Sequence, residues 1–382
     1  MVHDSDRLET ISWSDPETGY TWTYSVTDGK AKIEAGGRGA CAVSPKPTGT
    51  LTIPSSLDGK PVTSIGEGAF PCCSGLTTVT IPSGVTSIGD KAFEDCNGLT
   101  SFTVDSANPS YSSINGLLCS KDGRTLIAGV NGDVTIPSNV TNIAESAFLW
   151  CSGLTSVTIP SGVTRIGNRA FSCCYGLRSI TVDPANPSYL SINGLLCSKD
   201  GRTLIAGVNG DVTIPSGVTR IGDSAFEGCG GLTSVTIPPS VTSIGACAFS
   251  GCRRLASVTI PPGVTSIEFC VFSGCRYLMS VEIPSGVTRI GDGAFWCCSN
   301  LTSVTIPSGV TSIGDDAFFG CDSLMTVTIP ASVTSIGMSA FDHCSFVKVL
   351  AAKGDVDRVK GLLKESDGLD ISDWMFGEIS AP

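Results

Sequence analysis

Histidine is almost missing from this chain: 382 residues hold two, His3 and His343. A Ser-His or Cys-His nucleophile therefore has almost no base to work with. His3 falls in a polar start expected to be disordered. His343 stands beside Cys344, but sequence neighbours make no dyad, because the two side chains must meet in space with the base oriented by a third group. Charge is also scarce. Charged residues are 15% of the chain, Ser, Thr and Gly carry the polarity instead, and the net charge is −11. That balance argues against nucleic acid, whose phosphates need Lys/Arg clusters, and against an anionic membrane surface. No run approaches ~18 consecutive apolar residues, so no membrane insertion is expected. The start, Met1-Val2-His3-Asp4-Ser5-Asp6-Arg7, has no apolar signal-peptide core. Nucleophile elbows, metal-ligand motifs and dinucleotide loops are missing as well. Gly59-Lys60 with Thr63-Ser64 lacks the upstream Gly of a phosphate loop. The expectation is a protein that is not an enzyme and holds no metal or cofactor.

What is present is repetition. Ile214, Ile237, Ile260, Ile283, Ile306 and Ile329 follow at 23-residue steps. A fixed period of this size predicts a repeat solenoid. In the unit Leu232 to Cys252, Val235 and Ile237 alternate with Thr236, as in a strand with one buried face. Pro238 cannot donate to a ladder and ends that strand. Val241, Ile244, Ala248 and Phe249 then turn inward, and Cys252 closes the coil. No unit can bury this face alone, so neighbours must stack.

The pattern L-x-x-V-T-I-P-x-x-V-x-x-I-x-x-x-A-F-x-x-C, repeated over roughly residues 50 to 347, resembles the BspA-like leucine-rich repeats. Ten Phe residues each have a Cys three positions on: Cys73, Cys96, Cys151, Cys174, Cys229, Cys252, Cys275, Cys298, Cys321 and Cys344. The resemblance implies a leucine-rich repeat horseshoe of short β-strands joined by short helical turns, with one strand per repeat on the concave face. It also implies a cell-surface or extracellular protein used in adhesion or protein binding. The polar start sits uneasily with export. It leaves open an intracellular protein, a piece of a longer chain, or another export route.

The ten repeat cysteines read as a ladder of core thiols, since free Cys packs as a small hydrophobe. Three of the remaining eight form adjacent pairs with ladder members, Cys72-Cys73, Cys173-Cys174 and Cys297-Cys298, a poor geometry for zinc. Cys247 and Cys270 share one repeat position. Stacking would bring them close enough for an inter-repeat bridge in an oxidising compartment.

The domain reading has three parts. Residues 1–50 form an N-terminal β-hairpin cap and loop, with Asp28-Gly29 turning strands near Tyr20–Val26 and Ala31–Glu34. The alternative there is carbohydrate binding by Trp13, Trp22 and Tyr24. Residues 51–347 form the solenoid of ten repeats. Two 32-residue units interrupt it, and in each Asp122-Gly123 or Asp200-Gly201 turns a β-hairpin. Segment 113–138 is identical to 191–216. Asp105 and Asp183 could touch a cation, but turn capping explains them better. Residues 348–382 form a helical cap whose Ala351-Ala352-x-Gly354 and Val359-x-x-Leu362-Leu363 resemble one ankyrin repeat. Trp374-Met375-Phe376 docks back or stays loose.

A binder of this architecture would act through the outward positions of its strands: Thr233, Ser234, Thr236, Ser257, Thr259, Met279, Glu282, Thr302, Thr305, Met325 and Thr328. Hydroxyls donate, accept and rotate freely. Met279, Glu282 and Met325, with Arg253, Arg254 and Arg276 nearby, form the least uniform patch. The expected function is non-catalytic recognition of a protein or glycan by a monomer. The alternative is a structural spacer or display scaffold whose hydroxyls only solubilise the face. Ice binding by the Thr rows is a minor third, because a curved face fits a flat lattice poorly. Asp90, Asp223, Asp292, Asp315 and Asp316 lie on outer turns and read as solvent positions.

Overall fold

One coil shows how the repeat folds. In the computed structural model, which describes residues 9–37, 39–345, 348–352, 354–365 and 375–379, the strand Ser280–Glu282 buries Val281 and exposes its two flanks. Pro284 ends it, and its carbonyl accepts from the Val287 amide at 3.0 Å. The two-residue strand Arg289–Ile290 follows. The chain then turns through Phe295 and Cys298. Leu278, Val287, Ile290, Ala294, Phe295, Cys298 and Leu301 are all fully buried.

The turns between strands close by hydrogen bonds three residues apart, as from the Cys298 amide to the Phe295 carbonyl at 3.1 Å. They do not lengthen into helix. Gly293 and Cys297 both take left-handed backbone, with φ of 60° and 55°, and reverse the chain before a second helical turn can add. The same two positions are left-handed in the other coils, at Lys91 and Asp95, Ser146 and Trp150, and Ser339 and His343.

The chain divides into two compact units, residues 1–176 with 183–187, and residues 177–182 with 188–382. Each is a stack of such coils held by parallel ladders. In the second unit Ser266–Ile267, Arg289–Ile290, Ser312–Ile313 and Ser335–Ile336 form one sheet. The longer strands Ser257–Thr259, Ser280–Glu282, Ser303–Thr305 and Thr326–Thr328 lie in another. A third ladder runs through the turns, where Phe272, Phe295 and Phe318 each donate an amide hydrogen bond to the Ala carbonyl of the next coil at 2.8 Å.

The phenylalanines stack as a column. Centroids are 5.1 to 5.6 Å apart from Phe226 through Phe249, Phe272, Phe295 and Phe318 to Phe341, with planes within 16°. In the first unit Phe70 stacks on Phe93 and Phe148 on Phe171. Beside this column the ladder cysteines have a second task. The thiols of seven of them donate to the Phe carbonyl of the preceding coil, as from Cys96 to Phe70 at 3.1 Å and from Cys275 to Phe249 at 3.2 Å. Cys174, Cys252, Cys298, Cys321 and Cys344 do the same at 3.1 to 3.3 Å. Eight ladder thiols are buried, while Cys151 and Cys344 are half-buried.

Each unit contains the hairpin of one long coil. The expected hairpin Leu117–Ser120 with Thr125–Ala128 is antiparallel, and a further strand, Tyr111–Ile114, pairs antiparallel in front of it. Asn115-Gly116 makes that extra turn, both residues left-handed at φ 54° and 78°. Leu195–Ser198 and Thr203–Ala206, with Tyr189–Ile192, repeat the arrangement in the second unit. In these coils glycine stands in the Phe slot. The Gly129 and Gly207 amides donate to Ala147 and Ala225 as a Phe amide does elsewhere. The rings of Phe148 and Phe226 lie directly over them.

The N-terminal cap pairs Thr21–Thr27 antiparallel with Lys30–Ile33, and Lys30–Ile33 then joins the solenoid strand Lys60–Ile65 in parallel. Trp22 sets its edge against Phe70 at 6.3 Å and so closes the aromatic column. At 2% and 0% exposure, Trp22 and Tyr24 cannot stack on a sugar, which removes those two residues from the carbohydrate alternative.

The C-terminal segment departs from the helical reading. Lys348–Ala352 is a strand, parallel to Thr326–Thr328. The only helix among the described residues, Val356–Glu365, starts later, and Met375–Ile379 returns as a strand parallel to Lys348–Ala352. An open sheet edge at the last coil favours a strand over the local helical pattern. Val359 and Leu363 are buried. Arg358 grips the Asp355 carboxylate at 2.6 Å and donates to the Val333 and Pro330 carbonyls. Phe346, Val347, Trp374 and His3 lie outside the described residues.

Candidate functional site

The outward face of the long strands is built by alternation. Val258, Val281, Val304 and Val327 point inward, so the residues on either side of them must point out. Register then sorts those residues into columns. Ser257 pairs with Ser280, Ser280 with Ser303, and Ser303 with Thr326. Thr259 pairs with Glu282, and Thr305 with Thr328. Thr233, Ser234, Thr236, Ser257, Thr259, Met279, Glu282, Thr302, Thr305 and Met325 are exposed, and Thr328 is half-buried. Met279 and Met325 are 55% and 59% exposed, two strands apart in one column, hence roughly 10 Å from each other. Tyr277 stands beside Met279 at 60% exposure, and Arg253, Arg254 and Arg276 are exposed.

Three of the hydroxyls are already engaged. Thr233 and Ser234 donate to one oxygen of Asp211 at 2.5 and 2.8 Å, and Thr302 donates to the Met279 carbonyl at 3.4 Å. Asp133 holds Thr155 and Ser156 in the same way in the first unit. The Thr233 hydrogen bond, then that of Ser234, holds the Asp211 carboxyl below its ordinary 3.8. A depressed folded value means the contact is present above pH 3.8 and is lost as pH falls through the lower folded value. Acid titration followed by carboxyl NMR should therefore show Asp211 protonating later than a free aspartate. Asp211→Asn should remove that late step.

The face also has a seam. The strand Leu232–Thr236 pairs with Gly210–Thr213 but lies in a different sheet from Ser257–Thr259. Val235 and Ile237, expected in the core, are half-buried there.

Elsewhere the candidate chemistry resolves into structure. His343 is exposed and packs on the Phe319 ring at 4.9 Å, while the Cys344 thiol turns inward to the Phe318 carbonyl. Burial pushes the Cys275 and Cys344 thiols up to about 12, which keeps them protonated and unreactive. Asp105 and Asp183 accept from the amides of Ala107 and Ala185. Asp223, Asp292 and Asp315 accept from backbone amides of the next coil. No disulfide joins Cys247 and Cys270, and the Cys247 hydrogen bond lowers the Cys270 value. Among the described residues no three His, Cys, Asp or Glu side chains are placed to share a metal ion.

The BspA type Leucine rich repeat region matches in six copies, over residues 48–116, 131–198 and 219–348. The chain belongs to the BspA-type leucine-rich repeat family. Among solved structures, this BspA-type chain is similar to a leucine-rich repeat protein from Eubacterium ventriosum. The two are 25% identical with a TM-score of 0.54, over 88% of this chain and 95% of that one. The pneumococcal vaccine antigen PcpA is 15% identical with a TM-score of 0.50, over 98% of this chain and 100% of that one. A leucine rich cell surface protein from Faecalibacterium prausnitzii is 26% identical with a TM-score of 0.46, over 95% and 99%. A comparison with curated proteins finds no match. Membership in the BspA-type family indicates a binding or scaffold role. No helix among the described residues is long and apolar enough to cross a membrane.

Sequence reasoning missed Asp211 and Tyr277. Asp211 was open to detection, since Gly210-Asp211-Val212-Thr213 stands where other coils carry Thr-Ser-Val-Thr.

Proposed function

We propose that the protein is a non-catalytic recognition module that binds a protein or glycan partner through the Thr/Ser-rich strand face of its second unit. The carrying observation is the break in a uniform hydroxyl array, where Met279, Glu282 and Met325 stand exposed within three consecutive coils. Regular hydroxyl columns give adaptable hydrogen bonds, and exposed apolar anchors give affinity and discrimination. The acidic net charge makes nucleic acid a poor partner. The family resemblance favours an extracellular or cell-surface setting and an adhesive role for a monomer. We read the tail as a cap on the stack, with its ankyrin-like sequence serving that end.

The test is a triple variant, Met279→Ala/Glu282→Ala/Met325→Ala, compared with the parent chain on a glycan array and in pull-downs from surface-protein extracts. Each anchor lost from a working patch costs about 1 kcal/mol or more, so the triple variant should lose at least 10-fold in affinity. Unchanged binding of every captured partner overturns the patch.

A second reading, a spacer or display scaffold, is favoured by the internal use of the Thr233, Ser234 and Thr302 hydroxyls. It predicts no captured partner at all.

A further inference from the structure

The first rung of the cysteine ladder has no Phe carbonyl of an earlier coil to meet. The other donating ladder thiols reach the Phe carbonyl of the coil before them. Cys73 belongs to the first coil, which has none before it. Its sulfur instead lies 3.6 Å from the sulfur of Cys41, with the Pro71 carbonyl farther off at 3.8 Å. Cys41 is no repeat residue. It precedes the segment that ties the cap to the first coil. The Ala42 amide donates to the Ala69 carbonyl at 2.7 Å, and the Thr23 amide to the Ala42 carbonyl at 2.7 Å. Val43 pairs with Trp22 in the cap sheet. Cys73 is buried and Cys41 half-buried.

We propose that Cys41 and Cys73 form a disulfide that staples the N-terminal cap to the first coil. The oxidant is a low-molecular-weight disulfide such as oxidised glutathione. Each cysteine gives up its thiol proton, one S–S bond forms between the two sulfurs, and the glutathione S–S bond is reduced to two glutathione thiols. Cys41 and Cys73 enclose residues 42–72, so the bond closes a long loop in the unfolded chain and lowers the entropy of that ensemble. It also fixes the segment through which cap and coil are joined.

The same surroundings set the rate. The hydrogen bond to Cys73 and burial push the Cys41 thiol upward. At Cys73 the Cys41 hydrogen bond lowers the value, but the Cys96 hydrogen bond and burial outweigh it and leave about 12. Exchange needs the thiolate, so the docked pair exchanges slowly at neutral pH.

The experiment refolds the full chain in a glutathione redox buffer or under a phosphine reductant. Free thiols are then blocked with N-ethylmaleimide and non-reduced peptides are mapped by mass spectrometry. The expected result is a Cys41–Cys73 linked peptide in the oxidised sample only. A melting transition higher than in the reduced sample should accompany it, and Cys41→Ser should abolish that difference. Cys72→Ser, which removes the exposed neighbour, should leave the link intact. Alkylation of both Cys41 and Cys73 in the oxidised sample overturns the proposal, and so does a link from Cys41 to Cys72 or Cys96. The comparison of oxidised and reduced parent chain needs no variant to fold.

Discussion

Phe272→Ala should cost about 3–5 kcal/mol of stability, the range for emptying an aromatic site in a packed core. Phe272 is fully buried, and its ring touches Phe249 on one side at 5.6 Å and Phe295 on the other at 5.5 Å. Truncation removes both stacking partners and leaves a void that neither neighbour can fill, because each is already held by the next ring along. The backbone amide that bonds to Ala294 is untouched, so the loss is one of packing. Urea denaturation gives the magnitude. Hydrogen exchange gives the place: a repeat stack is stabilised by nearest-neighbour terms, so protection should fall in the coils around Phe272 first. Phe269→Ala, three residues away but 54% exposed, is the control and should stay within about 0.5 kcal/mol of the parent.

Gly207→Ala should destabilise by about 3 kcal/mol, at the upper end of the range for overpacking. A Cβ at Gly207 would sit 2.0 Å from the Phe226 ring. The ring cannot retreat, because Phe249 lies 5.1 Å behind it. The cause is steric, so Gly207→Ala should cost less in a Phe226→Leu background than in the parent chain, as a double-mutant cycle would report. If Gly207→Ala is neutral, the ring has room that the geometry denies it. Gly129, at 2.1 Å from Phe148, should behave alike in the first unit.

The coil was legible because its signals are redundant. Alternation around Val281, a Pro that ends each long strand, and a Phe-Cys pair at fixed distance all give the same turn of chain. Where a signal stands alone, neighbouring structure outweighs it. Lys348–Ala352 reads as helix by its apolar spacing yet becomes a strand, since the exposed edge of Thr326–Thr328 offers it a ladder. Trp22 and Tyr24 read first as part of a cap and second as a sugar platform, and their burial, with Trp22 against Phe70, decides for the cap. Asn115-Gly116 is a strong turn signal that the Asp122-Gly123 turn overshadowed. The outward strand positions follow from alternation alone. What they touch does not: Asp211 reaches Thr233 and Ser234 from a coil 22 residues earlier, across a register fixed only in three dimensions. Nor does any periodicity announce that the Phe249 carbonyl takes its hydrogen bond from the Cys275 thiol. That contact explains why a thiol, and not merely a small apolar group, suits the site.

The joints between 23-residue coils are chemically interchangeable. From Phe249 to Phe341 each seam offers an aromatic plate, a sulfhydryl and an amide to the same set of counterparts on its neighbour. Excising one whole coil between Phe249 and Phe318 would therefore leave a junction of the kind already present on either side. The reach of the hydroxyl face can lengthen or shorten in steps of a single turn without any new fit being invented, so for this molecule span is a freely adjustable quantity while cross-section is not.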